Sequence, residues 1–387
     1  MKKILRIINR FNLGGPTYNA AYLTKYLESD YETLLIGGQH DESEISSMDI
    51  LNNLALKPII IPEMQRSLNP YKDQIAYRKI QNIIKEFKPD IVHTHAAKAG
   101  ALGRRAAYKL GVNQIYHTFH GHVFHSYFGD FKTKIFKKIE RDLAKKTTKI
   151  IAISEIQKKE LSKIHKICPE EKIEVIPLGF DLEKFNVDKD SKRKKFRGKW
   201  NIKENEIAIG IIGRLVPIKN HFFFIDAIQE ILKKSEVPIR AFIVGDGEEK
   251  QNIVNYIKNK NLDYSLDYSP ATIHLTSWIK EIDRVNSGMD IICLTSLNEG
   301  TPVSLIEAQA SSKPIVSTKT GGIENIVLEN KTALLSEIND LHSFSKNLLS
   351  LVNNSIKRKL FSKYGLEKSK DFHYDKLINR MKNLYEL

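Results

Sequence analysis

Cysteine is scarce in this chain of 387 residues: there are two, Cys168 and Cys293, far apart and without His or Cys neighbours at metal-ligand spacing. That excludes a disulfide framework and a thiolate zinc site, and it fits a reducing cytoplasm. Long apolar runs are also missing. No stretch approaches 18 apolar residues, so no membrane-spanning helix is expected. The amino-terminal run is interrupted by Arg6 and followed by Arg10, and reads as a first buried strand instead of a secretion signal. Gly14-Gly15-Pro16 follows that strand but does not complete Gly-x-Gly-x-x-Gly, which argues against a nicotinamide dinucleotide. Acidic side chains are outnumbered, 46 against 61 Lys and Arg, for a net charge of +15. Residues 1–180 carry 29 basic against 19 acidic residues and the remainder 32 against 27. Nucleic acid, an anionic membrane face or an anionic substrate would each suit the basic first half, and a lysine-rich composition needs no partner at all.

What is present is a globular composition, 41% hydrophobic and 28% charged, at a length that favours two domains. Short apolar runs alternate with longer amphipathic ones. Strands are expected at 4–9, 31–36, 58–62, 90–95, 114–120, 149–154 and 172–177, with helices at 17–27, 74–87, 96–110 and 131–145. The alternation restarts with strands at 207–213, 239–245, 273–276, 289–294, 314–318 and 333–335. A βαβα order implies parallel sheets covered by helices on both faces. The reading is α/β, with domains over 1–180 and 201–365 and a charged linker over 181–200. A C-terminal helix over 366–387 is expected to pack back on the first domain. Ligands of such sheets bind at the carboxyl ends of the strands.

One stretch organises the second half: Leu294-Thr-Ser-Leu-Asn-Glu299-Gly-Thr-Pro302-Val-Ser-Leu-Ile-Glu307. It reads as strand, loop and helix, and the first N–H groups of such a helix favour a phosphate. Glu299 and Glu307 could be solvated charges, or acceptors for sugar and ribose hydroxyls on either side of a diphosphate. The stretch, continued through Gly321-Gly322-Ile-Glu324, resembles the Glu-x7-Glu signature of retaining glycosyltransferases of family 4, which have the GT-B fold. That resemblance implies two doubly wound, Rossmann-like domains facing a central cleft. It also implies that Glu299 contacts the transferred sugar and Glu307 the nucleotide ribose, with Gly300, Thr301, Pro302, Val303 and Ser304 around the donor.

Other residues extend the resemblance over nearly the whole chain. Gly213-Arg214-Leu-Val-Pro-Ile-Lys219 places two cations at a strand end, where they could converge on a diphosphate or form an exposed basic loop. The pattern is similar to the family's phosphate-binding pair. Gly14 and Gly15 look like the loop that faces the donor diphosphate, and Gly245 like part of a turn that shapes the cleft wall. His274-Leu-Thr-Ser-Trp278 stands where relatives hold the nucleobase, often with Gly in place of Ser277 or Trp278. His93, His95, His117, His120, His122 and His125 cluster in sequence without acidic or Cys ligands nearby, which speaks against a metal. Within the family pattern Thr-x-His-Gly, Thr118-Phe-His120-Gly121 assigns His120 to the transferred sugar. Asp188-x-Asp190 has the form of a metal-binding pair from another glycosyltransferase class, but it sits in a basic run without a strand.

Residues 131–146 place Phe131, Ile135, Ile139 and Leu143 on one helical face amid seven Lys and Arg, against Glu140 and Asp142. That is either a solvated core helix or a site for anionic lipid. No aromatic platform or recognition motif accompanies it, so nucleic acid is not expected. The resemblance implies a metal-independent, retaining hexosyltransferase that needs no cofactor. Its donor is a nucleotide-diphosphate sugar, expected to be UDP-linked. Its acceptor is a saccharide, lipid-linked or part of an envelope polysaccharide, met in the cytoplasm or at the inner membrane face. The alternatives are a sugar-nucleotide epimerase of the same fold and a non-catalytic sugar-nucleotide or membrane-surface binding protein. The intact set of Arg214, Lys219, Glu299 and Glu307 argues against the latter.

Overall fold

Near-continuous Ile, Val and Leu runs can be buried on both faces only in a parallel sheet covered by helices. The computed structural model describes residues 1–12, 14–41, 46–65, 67–121 and 130–386, and the side chains from residue 133 onward in the last segment. The chain divides into two units, residues 1–180 with 372–387, and residues 181–371.

The first unit holds β1 (Lys2–Arg10), β2 (Tyr31–Gly38), β3 (Ile59–Ile60), β4 (Ile91–His95), β5 (Gln114–Phe119), β6 (Lys149–Ala152) and β7 (Ile173–Val175). They form one sheet in the order β3-β2-β1-β4-β5-β6-β7, every pair parallel. This is the doubly wound order, reversing at β1. Alternate residues of β1 serve opposite faces. Leu5 and Ile7 pack with Ala76, Ile80 and Ala106, while Ile4 packs with Tyr116 and with Leu377, Met381 and Tyr385 of the helix Tyr374–Glu386. That last helix of the chain therefore completes the first unit. The Tyr116 hydroxyl donates to the Leu384 carbonyl at 3.0 Å, and Phe180 and Phe372 are joined by a backbone bond of 2.8 Å.

The second unit holds β8 (Ile207–Ile212), β9 (Ile239–Val244), β10 (Tyr264–Ser265), β11 (Ile273–Leu275), β12 (Ile291–Leu294), β13 (Ile315–Thr318) and β14 (Ala333–Ser336). Their order is β10-β11-β9-β8-β12-β13-β14, again parallel throughout. The two-residue β10 escapes sequence reading because it is too short to show a period.

Two expectations change. Residues 181–200 are not a bare linker. The helix Lys189–Lys199 belongs to the second unit and buries Phe196 and Arg197. Arg193 and Arg197 pair with Asp290 at 2.7 and 3.1 Å. The charge run masked an amphipathic spacing, since 193, 196, 197 and 200 share one helical face. The helix Asp130–Lys145 also turns differently from expectation. Leu143 is buried, but Ile135 is 45% exposed, and Glu140 faces inward to meet the fully buried Arg104 at 2.7 Å. A buried guanidinium needs a counter-charge, and that need outweighs the apolar stripe. The side chain of Phe131 lies outside the described residues.

Candidate active site

In the second unit, β8 and β12 lie side by side, and their carboxyl ends carry the two loops singled out from sequence. After β8 come Gly213 and Arg214, then the turn Pro217–Lys219 and the helix His221–Leu232. After β12 come Thr295 to Pro302 and the helix Val303–Ala310. The loops are laced together. The Thr295 hydroxyl donates to the carbonyls of Lys219 and Asn220 at 2.9 and 3.0 Å, and the Leu297 N–H donates to Ile218 at 2.8 Å. The result is a direct ion pair: the Lys219 ammonium donates to Glu299 Oε1. The same oxygen accepts the Ser296 hydroxyl at 2.6 Å. Arg214 is exposed in the same segment and makes no side-chain bond among the described residues.

The far side of the Glu299 loop rests on the segment after β13. The Thr318 hydroxyl donates to the Ser296 carbonyl at 2.7 Å, Thr320 to Leu297 at 3.1 Å, and the Gly322 N–H to the Glu299 carbonyl at 3.0 Å. Gly321 has φ +52°, and a Cβ there would fall 1.9 Å from the Glu299 carbonyl oxygen, so only glycine fits. Gly245 does the same for the other loop. At φ +148° its Cβ would lie 1.9 Å from the Gly213 oxygen, and its N–H donates to the Ser277 carbonyl at 3.1 Å. Gly245 thus props the Arg214 loop. Thr295, Ser296, Thr318 and Gly321 received no role from sequence. The polar residues just past two adjacent strand ends were the available signal.

Gly300, Thr301 and Pro302 lead into the helix at Val303 and Ser304, whose first N–H groups have no partner within the helix. Glu307 is one turn further on. It is partly exposed but closely surrounded, and burial pushes its carboxyl up to about 7, opposed by Lys184 and reinforced by Asp283. Trp278 is 44% exposed, and Lys250 donates to the Ser277 hydroxyl at 2.6 Å.

The remaining candidates belong to the first unit. Gly14 precedes the helix Gly15–Tyr26, and a Cβ on Gly15 would come within 2.9 Å of Leu178. His120 follows β5, and its Nε2 lies 3.0 Å from Nδ1 of His95 at the end of β4. The rings stack, with centroids 5.3 Å apart. His95 is fully buried and so is His93. The His93 ring bonds the Tyr385 hydroxyl at 2.6 Å and the Thr118 hydroxyl at 2.8 Å, and His117 bonds Thr94 at 2.8 Å. Burial pushes His120 down to about 3 and holds His93 and His95 well below the usual imidazole range, helped by the buried Arg6. Among the described residues no group of three or more His, Cys, Asp or Glu is placed to hold a metal ion. His122 and His125 lie outside the described residues.

Known proteins resemble this chain in sequence and in fold. The family described as Glycosyltransferase Family 4 matches residues 13–184, and Glycosyl transferases group 1 matches 192–368. The chain is 31% identical over 342 residues to the Escherichia coli UDP-Gal:alpha-D-GlcNAc-diphosphoundecaprenol alpha-1,3-galactosyltransferase, covering 84% of this chain and 86% of that protein. It is 24% identical to the Staphylococcus aureus capsular polysaccharide biosynthesis glycosyltransferase CapM, over 79% of this chain and 78% of that one. Anabaena Alr3699/HepE, solved in complex with UDP, superposes with a TM-score of 0.81 over the full length of both chains at 18% identity, a likeness of fold. With its two parallel seven-stranded sheets, the fold is GT-B, and the chain belongs to glycosyltransferase family 4.

Proposed function

We propose that this protein transfers a hexose, with retention and without a metal, from a UDP-sugar to a lipid-linked saccharide of an envelope polysaccharide. The observation that carries the reading is the Lys219–Glu299 ion pair, closed between two strand-end loops, with Arg214 exposed on the same loop as Lys219. A diphosphate would take Lys219 and Arg214 as its counter-charges, and the helix start at Val303 and Ser304 adds N–H donors. Glu299 would then be free to accept the sugar hydroxyls, while Ser296 keeps it oriented. Glu307 would accept the ribose hydroxyls. The C1–O bond to the diphosphate breaks as the acceptor oxygen bonds C1 on the same face. The acceptor proton passes to the departing phosphate, so no side-chain base is required. Two cations and helix N–H groups stabilise the charge that develops there, as a metal would elsewhere.

The acceptor class is supported by the Escherichia coli relative, named for a diphosphoundecaprenol substrate. A basic surface supports it physically. Lys134, Lys138, Arg141 and Lys145 are exposed along one helix, with Ile135 among them. A cavity of about 430 Å³ beside it is lined by Arg141, Lys145, Lys166 and Lys172 over the apolar Ala144 and Ile167. Such a surface suits peripheral attachment to the anionic cytoplasmic leaflet, and no helix among the described residues is long and apolar enough to cross a membrane.

The test is transfer from UDP-galactose, UDP-glucose and UDP-N-acetylglucosamine to a synthetic lipid-diphosphate N-acetylglucosamine, run with and without EDTA. Product with the donor's anomeric configuration, formed equally in EDTA, is expected. An inverted product, or activity that needs added magnesium or manganese, would overturn the mechanism. Isomerised UDP-sugar without transfer would favour the epimerase reading.

A further inference from the structure

The cavity beside the helix Asp130–Lys145 has a chemistry that diffuse attraction to a charged membrane does not use. It lies between the end of that helix and residues 162–172, and its volume is about 430 Å³, within the range of about 300–1,000 Å³ found for small-ligand sites. β6 and β7 begin at Lys149 and Ile173, so both walls precede their strands and stand at the amino edge of the parallel sheet. Gly14 and His120 follow the carboxyl ends of β1 and β5. The four residues of β6 set the two edges about 13 Å apart, at about 3.3 Å per residue. The cavity is therefore separate from every position given a role in transfer.

Scattered surface lysines need no ligand in a chain with 61 Lys and Arg, but here four cations converge. Arg141, Lys145, Lys166 and Lys172 line one recess, and no carboxylate is among its lining residues. None of the four makes an ion pair among the described residues. The acidic side chains flanking these segments are engaged elsewhere or stand outside the lining. Asp142, Glu170 and Glu174 meet Lys146, Lys163 and Lys149 at 2.6, 3.4 and 3.3 Å, Glu140 turns inward to Arg104, and Glu160 and Glu171 do not line the cavity. Arg141 is held in place: its Nε and Nη2 donate to the Lys166 and His165 carbonyls, each at 2.9 Å. That fixes the guanidinium plane and leaves Nη1 for a ligand. Lys166 has φ +50°, the left-handed position after a helix that Gly or Asn usually takes. A lysine stands there against its backbone preference.

We infer that this cavity binds the terminal phosphate of an amphiphilic lipid. A terminal phosphate carries about −1.5 to −2 charges at pH 7 and three strong acceptor oxygens, which suits several cations and a fixed Arg fork with no competing carboxylate. Inorganic phosphate would leave the apolar Ala144 and Ile167 and most of the volume uncovered, whereas an acyl stem covers both. The recess opens beside Lys134, Lys138 and Ile135, exposed further along the same helix, so the ligand can enter from a membrane face. The inference deepens the membrane-surface part of the proposed function and rests on that reading only for the source of the phosphate.

The test is calorimetric titration of the full-length protein with three probes: dihexanoyl phosphatidic acid below its micelle threshold, dihexanoyl phosphatidylglycerol, and inorganic phosphate. The phosphatidic acid should bind about fivefold or more tightly than either of the others, since only it joins a terminal phosphate to an acyl stem. Lys145→Gln with Lys166→Asn should weaken it about tenfold. That pair should melt no lower than wild type, because Asn is at ease in the left-handed position. Lys134→Gln with Lys138→Gln removes the same charge outside the cavity and should leave the affinity within about twofold, since exposed charges are screened. Equal affinity for phosphatidic acid and phosphatidylglycerol would overturn recognition of a terminal phosphate. Equal affinity for inorganic phosphate would overturn the lipid assignment, and both comparisons stand on the wild type alone. An equal loss in the two double variants would also overturn the inference, by showing diffuse charge instead of a site. No probe is a donor or an acceptor, so the transfer reading is judged separately.

Discussion

In the second unit Arg214, Lys219 and Glu299 are carried on loops directly after strands, with Glu307 on the helix that follows, and hydrogen bonds to the backbone of the next loop hold those loops in place. Thr295, Thr318 and Gly322 all bind main-chain carbonyls, and the site residues Lys219 and Glu299 meet each other. In the first unit the polar residues of interest, Arg6, His93 and His95, are buried within the sheet, and their order comes from β1 pairing with β4 and from Tyr385 of the last helix. The same architecture thus supports two kinds of site. One is a rigid frame of loops presenting charges that ligands can replace. The other is an enclosed set of neutral rings whose hydrogen bonds are set by the fold. The buried ion pair Arg104–Glu140 of the first unit has no exposed loop to relax into, whereas Lys219–Glu299 opens to solvent at Lys219.

The largest contrast should appear on breaking those two ion pairs. Arg104→Met leaves Glu140 buried and unpaired, and should cost about 3–5 kcal/mol of stability in urea unfolding. Adding Glu140→Leu should restore most of it. A loss under about 1 kcal/mol for the single variant would show that the first unit tolerates unpaired charge. Lys219→Ala should do the opposite, leaving the melting temperature within a few degrees while lowering turnover about 10²–10³-fold, or about 2.7–4 kcal/mol. Turnover within twofold of wild type would end its assignment as a diphosphate counter-charge.

Glu307 sharpens the comparison through pH. Its folded carboxyl titrates near 7 because burial opposes ionisation, whereas an unfolded Glu titrates near 4.3. A raised folded pKa means that its contribution to stability is fully present below about 4.3 and is lost as pH rises through about 7. Glu307→Gln should therefore be more stable than wild type at pH 8, by about 1–3 kcal/mol, with the gap closing towards pH 4. On the proposed reading the ribose hydroxyls are held by the ionised form, so wild-type donor affinity should rise between pH 6 and 8, and the variant's should be low and flat. Thermal unfolding and UDP titrations at four pH values would read both. The same stability difference at every pH would show that Glu307 is ordinarily solvated.

The smallest effect is expected at the surface of the first unit. Changing Lys134, Lys137 and Lys138 to Glu should abolish sedimentation with anionic liposomes at low salt, and 1 M salt should release the wild type, since the Debye length there is about 3 Å. Folding and transfer to a water-soluble acceptor should be unchanged. Equal sedimentation with neutral liposomes would reduce that helix to a solvated surface.

The sequence by itself determined the α/β class and the family. Buried parallel strands print continuous runs such as Ile207–Ile212, and loops at strand ends print their glycines and charged residues as short local patterns. It also marked the candidate residues of the second unit, because Arg214, Lys219 and Glu299 lie on strand-end loops and Glu307 on the helix that follows, all within short local patterns. Tertiary structure alone decided the rest. It showed that residues 189–199 fold into the second unit, that Glu140 and not Ile135 turns inward, and that Tyr385 bonds His93, 292 residues away. Each depends on a partner distant in the chain, a counter-charge for a buried guanidinium or a hydroxyl for a buried ring. Periodicity records which way a residue faces, but not what it will meet there.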